Sequence, residues 1–323
     1  MQDLIIGQCT KFSWKTVESF AVSTVWCGFK GHKVLFVEDL PQETRDNLIE
    51  LGFELIEVPK DLPGRRNKFF DYIGRFLMIY RYLRDHPNEF RFVFTADTRD
   101  LVFQGNPSTW MEKNLSGYKI VAASEFCRHI DSPPNMIWVD GMLSEVSEWI
   151  APKEIYCSGC IAGRAEYMID LCLAIYLYAR NFTASYWGPD QPIYATLLHQ
   201  KAYADITFVP KAEDLWCINC VNVAHDNLVV CPIRAGQGYP PIKISTTGLP
   251  IRPFYDFNPH HTRALNLLWA NGIPNLSDFT VLHQFDRIPP LNDNIRRVFT
   301  LENLRSGRRP FRLELTKFAQ VSE

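Results

Sequence analysis

Two carboxylates follow a short apolar run, where burial would be unfavourable without a compensating partner. The stretch Arg91–Pro107 (RFVFTADTRDLVFQGNP) contains the run Phe92–Thr95, and Asp97 and Asp100 come directly after it. A buried carboxylate costs free energy unless a cation or hydrogen-bond donors compensate it. Asp97 and Asp100 are therefore candidate binding residues, and the alternative is a turn in which an Asp caps the next helix.

Other polar side chains lie beside apolar segments later in the chain. The pair Asp190-Gln191 opens a predicted helix, and His283 ends the late apolar run Thr280–Leu282. Two carboxylates and one imidazole form a hard, mixed oxygen and nitrogen set that suits Mn²⁺ or Mg²⁺. The alternatives are a helix cap for Asp190, a core histidine for His283, and His225-Asp226 as competing ligands.

The elements before these residues alternate between two periodicities, which predicts strands separated by helices. The predicted strands are Asp3–Cys9, Val34–Val37, Phe53–Val58 and Phe92–Thr95, and the predicted helices are Trp14–Cys27, Glu43–Leu51 and Phe69–Leu83. Such alternation indicates an α/β protein with a mostly parallel central sheet flanked by helices. Ligands of such sheets bind beyond the carboxyl ends of the strands, where Asp97 and Asp100 are expected.

The second half of the chain alternates less regularly. Predicted strands are Ile120–Ser124, Ile155–Gly163, Ile206–Val209 and Thr280–Leu282, and predicted helices are Ala165–Arg180 and Gln191–His199. Residues 126–154 are expected to form a surface loop with a short helix, and the basic last 35 residues an irregular segment. We expect one domain over residues 1–287 and a C-terminal extension, a tail or cap packed on the surface, over 288–323.

Composition excludes several classes of function. The net charge of −2 argues against nucleic acid as a partner, because phosphate binding favours a strong basic excess. No run of about 18 apolar residues predicts a transmembrane helix, and the N-terminus does not resemble a signal peptide. These features predict a cytoplasmic protein, with peripheral attachment to a membrane left open. No GxGxxG follows the first strand and no GxxxxGK[ST] occurs, so the common dinucleotide and phosphate loops are not indicated.

The nine cysteines are irregularly spaced, which favours reduced thiols over a disulfide framework. Two CxxC pairs occur, Cys157/Cys160 and Cys217/Cys220. A four-cysteine zinc site is the alternative interpretation, but no surrounding knuckle pattern supports it, and buried or free thiols are favoured.

Four segments together resemble the GT-A nucleotide-sugar glycosyltransferases. TADTRDLVFQGNP resembles the aspartate motif of that family, CSGCIAG its NSG-containing strand, GPDQPIYATLL its DQ segment in retaining enzymes, and VLHQF its late metal-binding strand. Their order and approximate spacing agree over about residues 3–287. The resemblance implies a GT-A-like fold and a metal-dependent glycosyltransferase that uses a nucleoside diphosphate sugar.

The family's metal and sugar residues have counterparts in these segments. The resemblance implies Asp97, Asp100 and His283 as ligands of Mn²⁺ or Mg²⁺, with Asp97 also near the ribose of the nucleotide. It implies that Asp190 and Gln191 face the donor sugar and act in catalysis, with retention of configuration. The two aspartates are three residues apart instead of two, which favours Asp100 over Asp97 as a ligand.

Further residues match the family's contacts to the nucleotide. The resemblance implies that Cys9 and Thr10 lie near the base, that Arg75 contacts the nucleotide or its phosphates, and that Ser158 helps to bind the donor. Cys157 replaces the Asn of the NSG segment. The lysine-containing motif that follows the late histidine is absent, and Arg287 could supply its charge.

The acceptor is not specified by these residues, and a glycan, a glycolipid or a protein are all compatible with them. Glu125 is a candidate base or orienting residue, and Trp187 a candidate acceptor platform. Two other classes stay open. One is a nucleotidyltransferase or sugar-nucleotide hydrolase on a related sheet, and the other is a non-catalytic carbohydrate-binding protein.

Overall fold

A computed structural model of the protein describes residues 1–63, 70–180, 188, 190–211, 214–220, 278–287 and 289–307. The first part alternates strands and helices as predicted. Its elements are β1 (Gln2–Thr10), α1 (Trp14–Trp26), β2 (His32–Glu38), α2 (Gln42–Glu50), β3 (Glu54–Glu57), α3 (Phe70–Asp85) and β4 (Phe90–Asp97).

The remaining elements are shorter. They are β5 (Leu101–Phe103), α4 (Pro107–Asn114), β6 (Ile120–Val121), β7 (Ser124–Arg128), α5 (Pro133–Met142), α6 (Ser147–Ile150), β8 (Glu154–Tyr156), β9 (Cys160–Arg164), α7 (Ala165–Ala179), α8 (Asp190–His199), α9 (Lys201–Ala204), β10 (Thr207–Phe208), β11 (Cys217–Asn219), β12 (Val281–His283), α10 (Pro289–Val298) and α11 (Leu301–Arg305).

Seven strands form the central sheet in the order β10-β6-β9-β4-β1-β2-β3. Neighbours pair in parallel except around β9, which is antiparallel to both β4 and β6. β1 pairs with β4 in a register that places Gln8 opposite Asp97. The predicted mostly parallel α/β sheet is therefore confirmed, and Asp97 ends a central strand at the carboxyl edge.

Side chains of β1 alternate between the two faces of the sheet, so each face has its own core. Leu4 and Ile6 pack with the apolar stripes of α3, α7 and α8 on one face. Ile5 packs with α1, α4 and a second, small sheet on the other face. That small sheet has the order β11-β12-β5, and β12 lies parallel to β11 and antiparallel to β5. Helices and the small sheet thus cover both faces and leave the strand ends to build the site.

Some predicted elements differ from the observed ones. The single strand expected over Ile155–Gly163 is wrong, because the chain turns at Ser158-Gly159 and continues in a different sheet. The loop expected over residues 126–154 contains most of β7 together with α5 and α6. These short elements have weak periodicity, and contacts with the rest of the fold determine them.

The expectation of an irregular C-terminal segment is also wrong for residues 289–305, which contain α10 and α11. Leu291 and Ile295 of α10 are buried, and the ring of Phe299 packs edge-on against Trp26 of α1 with centroids 5.3 Å apart. Glu18 of α1 accepts a hydrogen bond from the backbone nitrogen of Leu301 at 2.8 Å. The domain boundary at residue 287 stays a prediction.

Among the helices of the described residues, none combines the length and hydropathy that crossing a bilayer requires.

Candidate functional site

Asp97, Asp100 and His283 meet at the carboxyl edge of the central sheet. Their ligand atoms all lie within 4.8 Å of one another. His283 Nε2 is 3.4 Å from Asp97 Oδ2 and 3.7 Å from Asp100 Oδ1. Two carboxylates and an imidazole at this separation could hold a divalent cation such as Mn²⁺ or Mg²⁺. The grouping that the sequence predicts is present, and its role as a metal site stays a prediction.

The small sheet brings His283 to the aspartates. β5 begins directly after Asp100, and β12 pairs with it so that His283 lies opposite Leu101. Gln284 then turns with a φ of 59°, and its backbone nitrogen donates a hydrogen bond to the Asp100 carbonyl at 2.7 Å. This hydrogen bond and the pairing of β12 with β5 therefore hold His283 next to Asp100.

Gly159 leaves room for the cluster. A Cβ at this position would lie 2.3 Å from His283 Cε1 and 2.7 Å from Asp97 Oδ2. The Gly159 carbonyl also accepts a hydrogen bond from the backbone nitrogen of Asp97 at 2.8 Å. Any larger residue would occupy the space in which the ligand atoms converge.

The protonation chemistry of the cluster fits a cation site. His283 Nε2 is buried and has no hydrogen-bond partner among the described residues. Buried polar atoms are rarely left without a partner, and an ion is one group that provides one. Burial would lower the pKa of His283, but Cys157, Asp97 and Asp100 together raise it well above its ordinary value. The negative charge that raises this pKa would also attract a metal ion. A proton and a metal ion would therefore compete for His283.

Arg75 of α3 joins Asp97 to Asp190. Its guanidinium donates to Asp97 Oδ1, to Asp190 Oδ2 at 2.8 Å, and to the Ser158 carbonyl at 3.2 Å. The side chain is only 13% exposed, so this is a largely buried ion-pair network. The predicted contact of Arg75 with the nucleotide remains untested, but the guanidinium already has two carboxylate partners.

The two carboxylates that share Arg75 have opposite pKa shifts. Burial would raise the pKa of Asp97, yet Arg75 and His283 hold it well below its usual range. For Asp190, burial raises the pKa, and the opposing effects of Arg75 and of the hydrogen bond from Ser158 Oγ at 2.8 Å do not cancel it. Arg75 therefore stabilises a firmly ionised Asp97 next to a more basic Asp190.

Gln191 follows Asp190 in the first turn of α8. Its Nε2 donates to Glu125 Oε1 at 3.1 Å and to Asn135 Oδ1 at 2.9 Å. Because the amide is planar, these two bonds direct its oxygen away from Glu125 and Asn135. Glu125 is only 4% exposed, so a buried acceptor holds the Gln191 amide in this orientation.

Two half-exposed arginines border the cluster on another side. Arg99 Nη2 is 3.1 Å and Arg287 Nη2 is 3.9 Å from Asp100 Oδ2. Both guanidiniums also lie 3.5 Å from the carboxylate of Asp286. Their side chains are 44% and 48% exposed, which leaves them accessible to an anion that approaches Asp100.

Cys9 and Thr10 lie at the end of β1. The Cys9 side chain is fully buried in the core, and burial raises the pKa of its thiol to about 12. Thr10 Oγ1 accepts a hydrogen bond from Gln8 Nε2 at 3.0 Å. A contact of Cys9 with a nucleotide base would have to use its backbone, and the role of both residues stays a prediction.

The eight cysteines within the described residues are free thiols. Cys157, Cys160, Cys217 and Cys220 are all buried, in agreement with the interpretation as thiols. The cluster that could hold a metal includes none of them. Two other predictions, Trp187 as a platform and His225-Asp226 as ligands, lie outside the described residues.

Three further residues build the site without a signal of their own in the sequence. Gly159 belongs to the CSGCIAG segment, but the sequence does not indicate its closeness to His283. Asn219 and Asn135 hydrogen-bond to His283 and Gln191, at 2.8 and 2.9 Å. An isolated asparagine carries no motif, so only the pairing of β11 with β12 reveals Asn219.

Several solved structures of glycosyltransferases superpose on this chain. The bifunctional glycosyltransferase WbbM superposes with a TM-score of 0.53 at 10% identity, over 88% of this chain and 45% of that one. The galactosyltransferase LgtC (TM-score 0.48, 9% identity, 87% and 86% of the two chains) and the glycosyltransferase GlyE of Streptococcus pneumoniae TIGR4 (0.49, 13%, 95% and 64%) are also similar.

The predicted GT-A-like fold is confirmed by this likeness, which at such identities concerns the fold alone. The chain spans less than half the length of the WbbM chain. No protein-family model and no curated protein matches the sequence.

Proposed function

We propose that the protein is a metal-dependent glycosyltransferase that transfers a sugar from a nucleoside diphosphate sugar to an acceptor hydroxyl. The observation that carries the proposal is the convergence of Asp97, Asp100 and His283 at the carboxyl edge of a GT-A-like sheet. Ligands of open α/β sheets bind at this edge. The fold shared with the bifunctional glycosyltransferase WbbM supports the reaction class.

Asp97, Asp100 and His283 would hold Mn²⁺ or Mg²⁺. The buried Nε2 of His283, which faces both carboxylates, and the space left by Gly159 both fit a cation at this position. When bound, such an ion supplies positive charge that stabilises a departing diphosphate. Arg99 and Arg287 add charge at the exposed border, where phosphate oxygens would approach.

The remaining residues orient the sugar. The Gln191 amide, held by Glu125 and Asn135, and the buried Asp190 would face the anomeric carbon. The acceptor oxygen forms a bond to this carbon while the carbon–oxygen bond to the diphosphate breaks, and the leaving group takes the electron pair. The proton of the acceptor hydroxyl passes to the departing phosphate oxygen. Retention of configuration requires that the acceptor oxygen attack the same face of the sugar from which the diphosphate departs, and this same-face course is the one that we propose. The acceptor class, glycan, glycolipid or protein, is left open.

A nucleotide and metal matrix tests the proposal. Thermal unfolding is measured with UDP or GDP, each with and without Mn²⁺, and sugar nucleotides are then screened for turnover with NMR analysis of the product anomer. A shift that needs both ion and nucleotide, followed by transfer, is expected. Release of free sugar to water alone would indicate a hydrolase, and the absence of any nucleotide-dependent shift would indicate a non-catalytic binding protein. An inverted product anomer would refute retention.

A further inference from the structure

Asn219 lies next to His283 on the neighbouring strand. β11 and β12 are parallel, and their register places Asn219 opposite His283. Asn219 Oδ1 is 2.8 Å from His283 Nδ1, and Asn219 Nδ2 donates to the Ser124 carbonyl at 3.0 Å. Asn219 and His283 are 1% and 2% exposed, so water does not compete for these bonds.

The Ser124 carbonyl determines which way the Asn219 amide faces. A backbone carbonyl can only accept a hydrogen bond, so the amide atom that contacts it must be the nitrogen. The atom that contacts His283 is therefore the amide oxygen, which can only accept. It follows that His283 Nδ1 carries a hydrogen and donates it to Asn219.

This assignment determines the role of the other ring nitrogen. When Nδ1 carries the hydrogen of a neutral imidazole, Nε2 presents the lone pair that binds metals. Nε2 is the atom that faces Asp97 and Asp100, at 3.4 and 3.7 Å. Cys157 Sγ also lies near Nδ1, at 3.4 Å, but sulfur is a weak acceptor, so Asn219 is the principal partner.

We propose that Asn219 is a positioning residue of the metal centre, which fixes the ring of His283 so that Nε2 is the coordinating nitrogen. This inference rests on the proposed function, because it requires a metal ion at the site. Acceptors behind a metal-bound histidine typically change metal affinity by about 10–100-fold when they are removed. Within the described residues, Asn219 contacts the cluster through His283, so its loss should affect one ligand and leave both carboxylates in place.

The test compares three variants of the full chain. Asn219→Leu removes the acceptor at similar size, and Asn219→Asp keeps an acceptor for Nδ1–H. Asn106→Leu is the matched control, because Asn106 also bonds through both amide atoms, to Gly28 and Ser108, away from the cluster. Mn²⁺ affinity is measured by EPR titration, and electron spin-echo modulation from ¹⁴N reports whether imidazole nitrogen coordinates the ion.

Asn219→Leu should weaken Mn²⁺ binding by about 10–100-fold and reduce the ¹⁴N modulation at saturating Mn²⁺. Asn219→Asp keeps the acceptor for Nδ1–H but loses the bond to the Ser124 carbonyl, so it should retain more of both than Asn219→Leu, and Asn106→Leu should change neither. If Asn219→Leu lacks a cooperative unfolding transition, Asn219→Ala takes its place.

Two negative results are distinguishable. Mn²⁺ binding and ¹⁴N modulation that are unchanged in Asn219→Leu would overturn the inference and leave the metal site intact. A wild-type chain without bound Mn²⁺ would overturn both the metal site and the role of Asn219.

Discussion

Replacing Gly159 with alanine should weaken metal binding while leaving the fold in place. The added Cβ would lie 2.3 Å from His283 Cε1 and 2.7 Å from Asp97 Oδ2. Carbon atoms in good contact are about 3.5 Å or more apart, so the imidazole would have to retreat by roughly 1 Å. His283 is 2% exposed and is hydrogen-bonded to Asn219, so its ring cannot avoid the added Cβ by rotating towards solvent.

The size of this displacement decides the effect on the metal. Coordination distances tolerate changes of only about 0.2 Å, so a shift of ~1 Å removes His283 from the ligand set. Overpacking of this kind costs about 1–3 kcal/mol of stability, which a domain of this size can tolerate. Gly159→Ala should therefore stay folded but bind Mn²⁺ at least ~10-fold more weakly.

Thermal unfolding with and without Mn²⁺ measures this effect. An ion at 100 times its dissociation constant stabilises the folded state by about 2.7 kcal/mol, and at the same Mn²⁺ concentration this increment should fall to about 1.4 kcal/mol or less in Gly159→Ala. Gly117→Ala is the control, because its added Cβ meets no described atom within 4 Å. If Mn²⁺ stabilised Gly159→Ala as much as it stabilises the wild type, the proposal that the ion binds beside Gly159 would be refuted.

Three further predictions concern charge. Asp100→Asn should abolish the Mn²⁺-dependent rise in melting temperature and any transfer activity, without loss of the folded state at neutral pH. Arg75→Met should destabilise the protein by about 3–5 kcal/mol in urea unfolding, because Asp97 and Asp190 would lose their shared buried cation. Burial and the nearby His199 lower the pKa of His129 to about 3, so the unfolded state binds more protons between that value and about 6.5. The free energy of unfolding should therefore fall by about 1.4 kcal/mol per pH unit from this group below pH 6.5, and His129→Leu should remove that slope in urea titrations at pH 7 and pH 5.

Each of these has an outcome that would contradict it. Full turnover of Asp100→Asn in EDTA would exclude a metal ligand at that position. Arg84→Met on the same helix is the control for Arg75, since Arg84 is more than half exposed and its ion pair is a local one with its neighbour Asp85. If Arg75→Met is no less stable than Arg84→Met, the network around Asp97 contributes nothing. If the unfolding free energy of His129→Leu fell between pH 7 and pH 5 as much as that of the wild type, the pH dependence would come from other groups.

The sequence predicts the first half of the fold because the local signals there are strong. The stripe of α3 and the apolar runs of β1, β2 and β4 each fit one period, and their alternation allows few arrangements. Asp97 and Asp100 could be found because carboxylates at a strand end are conspicuous in any chain.

The rest of the site depends on contacts between distant segments. Nothing local to Asn219 or Gly159 indicates that both touch His283, and the pairing of β11, β12 and β5 creates those contacts. The family resemblance implies a contact of Arg75 with the nucleotide or its phosphates, whereas its two carboxylate partners come from β4 and the first turn of α8. Periodicity does not encode such pairings, so a single sequence cannot supply them.

The division of the ligands between β4 and β12 also determines when the site can exist during synthesis. Asp100 and His283 are separated by 183 positions, the difference of their numbers. At about 5–20 residues per second, a ribosome needs roughly 10–40 s to travel from one to the other. Throughout this interval the growing chain carries Asp97 and Asp100 without their imidazole partner. Metal capture with the complete ligand set would therefore mark a chain that has been synthesised through β12 and has docked it, and a nascent chain would not compete for the ion with the same affinity.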